Sequence, residues 1–576
     1  AILSITMVMA AVFIPVGFME GPAGIFYEQF AYTLAIAILI SAFNALTLTP
    51  ALCALFLKPG SHNRKFVKAG NPIVARLQGW LEKFFEKFNA FFERFTNWYG
   101  GKVKYLLNNK KVVGLILLIT FGLGFGLMKF TPSEFIPTED DSYITFSMAM
   151  QPGASLARTK RTLAKAERIL KGRKEIAGMT TISGYNTIDA NASPSFAVGY
   201  INLKPIKERG EIRNVQKLIA DIRSDLEQID EATFQVFPRP TVQGFGDFSG
   251  VEIMLQDKMS GSFQQFDDVA QDFIAKLNDD PSISRAFTSF NARFPQYMME
   301  INYVKAKALG VNVKDLMGTI RAYYGRVQAG DFSRFGRQYR VYMQADVDYR
   351  NDPSTFSNIF VKNSEGEMLP ANTLVTLKPI QGPETVNRYN LFNAISVKIT
   401  PEKGASTGIV MEVVDKLSKE LPANYGYELT GLALEEKESG SQTTLIFGIS
   451  FLFIFLLLAA QYESFLLPFA ILLAVPSGFV GVFGLINIVG VTNNIYVQVG
   501  IIMLIGLLAK NAILIVEFAL QERRLGKSIT EAALQGALLR IRPILMTSFA
   551  FIAGLIPLMF TVGPSAKGNH SISFST

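Results

Sequence analysis

The chain has 576 residues, 49% of them apolar, with 56 Lys and Arg against 48 Asp and Glu for a formal charge of +8. That apolar share and the positive mean hydropathy exceed what a water-soluble protein of this length carries, so membrane spans are the first thing to seek. One cysteine, Cys53, excludes an intrachain disulfide, and the basic balance fits loops on the cytoplasmic side of a membrane rather than nucleic-acid binding.

About 20 apolar residues are needed to cross the hydrocarbon as a helix, and stretches near 1–18, 30–57, 111–130, 443–460, 465–489, 496–520 and 543–562 approach or meet that length. The first begins at Ala1 with neither an initiating Met nor a charged flank, and the chain is expected to be a fragment cut at both ends. Between Lys58 and Lys111 twelve Lys or Arg stand against three Glu, which places residues 58–110 in the cytoplasm. Alternation then puts 131–440 outside, and Arg523, Arg524, Lys527, Arg540 and Arg542 fall inside again as the same rule requires. Within the first loop Trp80, Leu81, Phe84, Phe85, Phe88, Phe91, Phe92, Phe95 and Trp98 recur at helical steps. Glu82, Lys83, Glu86, Lys87 and Arg94 fill the other face, the pattern of a helix lying on the membrane surface.

The outer region alternates strands and helices. Tyr143–Met150 and Ala197–Leu203 have a two-residue period, and Ser155–Lys171 between them has a helical one. A second unit reads as a strand at Val251–Leu255, a helix at Ser262–Leu277, a strand at Tyr297–Ile301 and a helix at Val313–Arg321. Such repeats suggest ferredoxin-like split modules. The expected organisation is two outer subdomains over 131–339, a strand-rich docking module over 340–394, a return to the earlier subdomain over 395–440, spans over 441–562 and an outer tail at 563–576. The fold class is thus an α-helical membrane bundle with an α+β outer domain.

Lys510 and Asn511 lie near the middle of the apolar run VQVGIIMLIGLLAKNAILIVEFAL. An ammonium at that depth costs at least about 2.5 kcal/mol on insertion scales, and its stem reaches only about one turn toward water, so it is expected to be functional and to need a carboxylate partner. No Asp or Glu lies in the middle of any span. Thr547 stands within reach of the same level, although a Thr inside a helix also satisfies a backbone carbonyl. His62 and His570 sit in polar ends, no Walker-type loop appears, and no His, Cys and carboxylate cluster has metal-ligand spacing. Met298 and Met299 read as packing residues.

Five strings, ALTLTPALCALFLKP (45–59), PSEFIPTEDDSYITF (132–146), LAAQYESFLLPFAILLAVPSG (458–478), GLLAKNAILIVEFA (506–519) and RIRPILMTSFAFIAGLIPL (540–558), resemble the resistance-nodulation-division family, in its hydrophobe and amphiphile efflux branch. The likeness runs the whole chain in collinear order, from the family's fifth span to its eleventh. It implies an inner-membrane pump driven by the proton gradient without a bound cofactor. It also implies a homotrimer working with a periplasmic adaptor and an outer-membrane channel, and amphiphilic or hydrophobic substrates drawn from the periplasm and membrane lipid.

The resemblance also assigns roles. Lys510, with Asn511 beside it, would pair with Asp carboxylates of the family's fourth span, and Arg540 and Thr547 would assist the proton relay. The segment 180–204 reads as strand-loop-strand and matches in position a flexible loop between two substrate pockets. Tyr185 and Tyr200 align with pocket aromatics, Thr180 and Thr187 fall where relatives often carry Phe, and Phe196 compensates. Val251, Ile253 and Leu255, on one face of a strand, would line the proximal pocket or else form ordinary core. Alternatives to drug export are export of metals or lipids by the same superfamily, or an inert truncated product.

Overall fold

A computed structural model describes residues 2–56, 72–210, 212–242, 244 and 248–576. Among the described residues six helices are long and apolar enough to cross a membrane: Ala23–Phe56, Lys110–Phe130, Gly431–Tyr462, Leu466–Val489, Ile495–Arg524 and Ile529–Met559. The first expected span is a shorter helix, Ile2–Phe13, followed by a 3-10 turn at Pro15–Phe18. The second bends at Thr47, which separates Gly21–Leu46 from Leu48–Phe56.

The bundle packs around Ile495–Arg524, hereafter the Lys510 helix. Its Val497, Ile502, Ile505, Ala509 and Ile513 are buried in one cluster with Val8 and Val12, Ile454 and Leu458, and Val482 and Ile486. Small residues allow the close crossings. A methyl on Gly536 of the Ile529–Met559 helix would come within 2.8 Å of the Ala519 nitrogen and 3.0 Å of the Ile515 oxygen. Ser528 starts that second helix with a reciprocal capping box to Glu531. The expected outer tail is also ordered: Ala566–Ser575 is a helix, His570 lies 3.0 Å from the Thr561 carbonyl oxygen, and Ser571, Ser573 and Ser575 are buried.

The helix in the basic loop is longer than its aromatic stripe, running Pro72–Asn108. Residues 58–71, His62 among them, lie outside the described residues, as do the side chains through Glu82. Phe84, Phe88 and Phe92 stack in sequence, and Phe84, Phe85, Phe88, Phe91 and Trp98 are exposed. The far end of this helix rests on the bundle, with the Arg542 guanidinium 5.5 Å from the Phe92 ring and Gly100 against Leu538.

The extramembrane domain contains two modules of one design. In the first, β1 (Tyr143–Met150), β2 (Ile176–Asn186), β3 (Asn191–Leu203) and β4 (Ala232–Pro238) form an antiparallel sheet in the order β2-β3-β1-β4. Helices Leu156–Lys171 and Val215–Leu226 are capped by Ser155 and Asn214, which accept from backbone nitrogens of the first turn. They cover one face, burying Ile144, Phe146, Met148 and Ile201 against Leu163, Leu170, Leu218 and Ile222. Gly199 is needed in β3 because a Cβ there would lie 2.0 Å from the Phe146 ring opposite it.

The second module repeats the pattern with β5 (Val251–Asp257) and β6 (Ile283–Phe287), followed by a long insertion. The insertion carries β7 (Phe294–Ile301), β8 (Val327–Arg334), β9 (Arg337–Met343), β10 (Phe360–Lys362), β11 (Met368–Pro370) and β12 (Val375–Gly382), and β13 (Asn387–Tyr389) returns to the module's sheet. The module then resumes with β14 (Phe392–Pro401) and β15 (Tyr425–Thr430), and β14 lies between β6 and β13 on one side and β5 on the other.

Two sequence expectations are corrected here. The second strand of this module is Ile283–Phe287, whereas the segment read in that role, Tyr297–Ile301, belongs to β7 and pairs with β12. The strand-rich module expected at 340–394 therefore begins well before residue 340. Its own core joins Leu316 and Ile320 to Phe356, Ile359, Val361 and Leu374, so the Val313–Tyr324 helix belongs to the insertion.

Candidate functional site

A cleft of about 340 Å³ opens between the two modules. Ser147 and Ala149 of β1, Phe196 of β3 and Gln235 of β4 line one wall, while residues 287–291 and 394–396 line the other. The β2–β3 hairpin straps the two walls together. At its tip the Asn186 carboxamide accepts from the Ile188 nitrogen at 3.0 Å and donates to Asp189 at 3.1 Å, and Asp189 also accepts from Ser289 of the second module. Asn191 donates to Thr385, and the Ser193 hydroxyl donates to Glu384 Oε2 at 2.9 Å. The strand-loop-strand read at 180–204 is observed, and its loop is a tight turn held across the cleft by side-chain hydrogen bonds.

Beside the cleft the modules meet over an aromatic ladder, Phe237–Phe248–Phe287, with centroids 5.6 and 5.9 Å apart. Lys398, 4% exposed, bonds Glu252 at 2.9 Å and lies 5.5 Å from the Phe248 ring, and the Ser396 hydroxyl also donates to Glu252. For a buried ion pair such as this, desolvation offsets much of the Coulombic gain, and the additional partners satisfy its remaining hydrogen-bonding groups.

Of the residues expected at the substrate pockets, Phe196 lines this cleft. Tyr200 shares its sheet face, tilted against Tyr143 at 6.2 Å, and the exposed Thr180 pairs with Tyr200 across the ladder. Tyr185 is half-buried beside a bulge, and Thr187 is buried in the turn with its hydroxyl unpartnered. Val251, Ile253 and Leu255 do not line a pocket. All three are fully buried, packing with Phe266, Phe273, Val397 and Val410 beneath the module's helices, so the alternative of ordinary core holds.

In the bundle, Lys510 and Asn511 are half-buried on the central helix. No acidic side chain lies within ion-pair reach of Lys510 among the described residues. Counting from the Gly536 contact at about 1.5 Å per residue along antiparallel helices puts Arg540 and Thr547 each within about one turn of the Lys510 level. The structure does not bond them to it. The Arg540 guanidinium lies 4.0 Å from the Phe518 ring with its buried Nε unpartnered, and the exposed Thr547 donates to its own helix, at the Ile544 carbonyl, over 3.0 Å.

A junction that no sequence pattern announced links this helix to the modules. Asn494 caps the Lys510 helix, accepting from Tyr496 and Val497 nitrogens. Just before it, Asn493 exchanges backbone hydrogen bonds with Pro132 and Glu134, and the Ile495 nitrogen donates to Phe135. Glu139 accepts from the Lys567 and Gly568 nitrogens at 3.1 and 2.7 Å, at the start of the Ala566–Ser575 helix, where a negative charge meets the helix dipole. Glu134 accepts from Thr492, and burial raises its carboxyl above the ordinary range, against the lowering effects of that bond and of Lys567. Glu436 accepts from Thr407 at 2.6 Å nearby, with its other oxygen buried and unpartnered.

These features define a multi-pass helical membrane protein with a twin-module α+β domain joined directly to its central helix. The chain belongs to the AcrB/AcrD/AcrF family, which it matches over residues 1–574. It is 34% identical over 575 residues to the multidrug/solvent efflux pump membrane transporter MepB of Pseudomonas putida, covering 99% of this chain and 53% of that protein. The toluene efflux pump membrane transporter TtgB, also of Pseudomonas putida, is likewise 34% identical, over 99% of this chain and 53% of its own length. The multidrug export protein AcrF of Escherichia coli is 32% identical over 99% of this chain and 54% of its own. The chain spans about half the length of the curated relatives it matches.

Proposed function

We propose that this chain serves proton-driven export of amphiphilic or hydrophobic compounds, as part of an inner-membrane pump whose twin-module domain faces the periplasm. The observation that carries this reading is Lys510, a lone ammonium at mid-depth of the helix around which the bundle packs. An intramembrane charge is expensive to insert, and a carboxylate partner whose protonation breaks the pair would turn proton uptake into helix movement. Arg540 and Thr547, on the adjacent helix at nearly the same level, assist that relay, with Asn511 beside Lys510. The movement passes through the backbone ladder at residues 493–495 into the modules, where it opens and closes the cleft. The membrane potential adds about 2.3 kcal/mol per charge per 100 mV. By the same reading the pump is a homotrimer that works with a periplasmic adaptor and an outer-membrane channel.

Efflux of a fluorescent dye from energised pump-deficient cells tests the relay. Wild-type protein is expected to export the dye, a protonophore to abolish export, and Lys510→Ala at matched membrane abundance to match the empty vector. Export by Lys510→Ala at the wild-type rate removes Lys510 from the relay.

A further inference from the structure

Resting on the relay reading of Lys510, we infer that Glu517 is the station through which the proton leaves for the cytoplasm, with the Tyr462 hydroxyl positioning its path. A proton taken up beside Lys510 has to be delivered on the far side of the membrane, and the basic loops put the cytoplasm at the Arg524 end of this helix. Glu517 stands two turns beyond Lys510 in that direction, so the two side chains share one helix face, about 10 Å apart along the axis. An equal distance separates Glu517 from Arg524, the last residue of the helix. A glutamate stem of two methylenes is too short to carry the carboxylate across it to the basic end.

The surroundings single Glu517 out from the other charges of that end. Glu522 is paired with Lys527, and Arg523 donates to the Lys527 carbonyl at 2.7 Å. Arg540 and Arg542 rest on the rings of Phe518 and Phe92. Glu517, half-buried, is in no ion pair among the described residues. Tyr462, at the end of the Gly431–Tyr462 helix, packs on the bundle core with its hydroxyl buried and unpartnered, and Glu517 is the charge that acts on that hydroxyl. The helices Ile2–Phe13, Leu466–Leu472 and Val475–Val489 around the same core bring no charged side chain. Glu28 of Gly21–Leu46 lies at the opposite end, next to Tyr27, which bonds Gln498. A carboxylate without a cation at this depth is costly, and in membrane helices such groups mark proton paths.

Between the two levels Ile513, 1% exposed, and Leu514 form an apolar stretch on the shared face. Water bridges it only when the helices move, so the movement that uptake starts also gates release, and no standing leak joins the two sides. In the step itself the O–H bond of the protonated relay carboxyl breaks. An O–H bond forms on the Glu517 carboxylate by way of the admitted water, and Glu517 then gives the proton to cytoplasmic water.

Dye uptake into energised inside-out vesicles carrying the whole pump turns the cytoplasmic face to the bath. At matched abundance Glu517→Gln is expected to slow uptake at least about tenfold, Glu517→Asp to stay within about threefold of wild type, and Tyr462→Phe to lose about two- to threefold. The ratio of rates in ordinary and heavy water should rise in Glu517→Gln, because proton release then limits the cycle. Uptake by Glu517→Gln at the wild-type rate, with Lys510→Ala inactive, overturns Glu517 as the exit and keeps the relay. An equal loss in Glu517→Gln and Glu517→Asp with the isotope ratio unchanged makes Glu517 a structural residue and overturns it too. Uptake by Lys510→Ala at the wild-type rate removes the relay reading, and the exit with it.

Discussion

The extramembrane modules and the membrane bundle handle buried charge in opposite ways. In the first module Arg209, 2% exposed, donates to both oxygens of Asp140 at 2.6 and 2.9 Å, to Ser142 at 2.8 Å and to the Lys204 carbonyl at 2.7 Å. Lys398 in the second module is likewise paired and ringed by partners. In the bundle the half-buried Lys510 has no ion pair among the described residues, and Arg540 rests on an aromatic face. Charge that is satisfied locally specifies one conformation. Charge held mid-span without local satisfaction is open to an incoming partner, and the proposed relay rests on that contrast.

The sharpest way to break the contrast is to exchange the readouts. Arg209→Ala should cost about 3 kcal/mol, because it leaves the half-buried Asp140 without its cation, and it should be visible as lost membrane abundance and a lowered melting temperature. Restoring an apolar pair with Arg209→Met and Asp140→Leu should recover most of that loss. Lys510→Ala should do the reverse and leave the melting temperature at or above that of wild type, while removing efflux. A large destabilisation by Lys510→Ala would make Lys510 a structural charge and erase the distinction.

Both regions also rely on glycine at a close approach, and here they should behave alike. Gly199→Val forces a side chain into the Phe146 ring, and Gly536→Val forces one between two helix backbones. Overpacking of this kind typically costs about 1–3 kcal/mol. Thermal unfolding should show both losses, and a neutral Gly536→Val would mean that the two helices slide apart freely at that crossing.

The parts of this organisation legible in the sequence are those set by local period and by single anomalies. The two-residue alternation of Tyr143–Met150 and the helical period of Ser155–Lys171 match β1 and its following helix, and one lysine in an apolar run needs no context to stand out. Ile283–Phe287 was not legible, since five residues with Ser and Arg at adjacent places carry too little pattern, and only pairing with β14 makes them a strand. Alternation placed Val251, Ile253 and Leu255 on one face, but which face is core depends on the helices Phe263–Asn278 and Thr407–Ser418, packed from elsewhere in the chain. The cleft draws Asp189, Asp230 and Glu384 from three separated segments, so no motif contains it.

The smallest effect concerns the junction between the two regions. Glu134 faces Thr492, Lys567, Glu139 and Glu436, and burial is the largest influence on it, raising its pKa in the folded protein. A carboxyl whose folded pKa exceeds its unfolded value of about 4.5 contributes fully to stability below that value. The contribution is lost as pH rises through the folded pKa, so at neutral pH the buried charge opposes folding. Gln keeps an acceptor for Thr492 and never ionises. Glu134→Gln should therefore raise the melting temperature by about 1–2 °C at pH 7.5 and leave it unchanged at pH 4, in melts of the purified protein. An equal gain at both values would trace the effect to packing, and a loss at pH 7.5 would mean that Lys567 holds Glu134 ionised and that the junction, like the modules, carries satisfied charge.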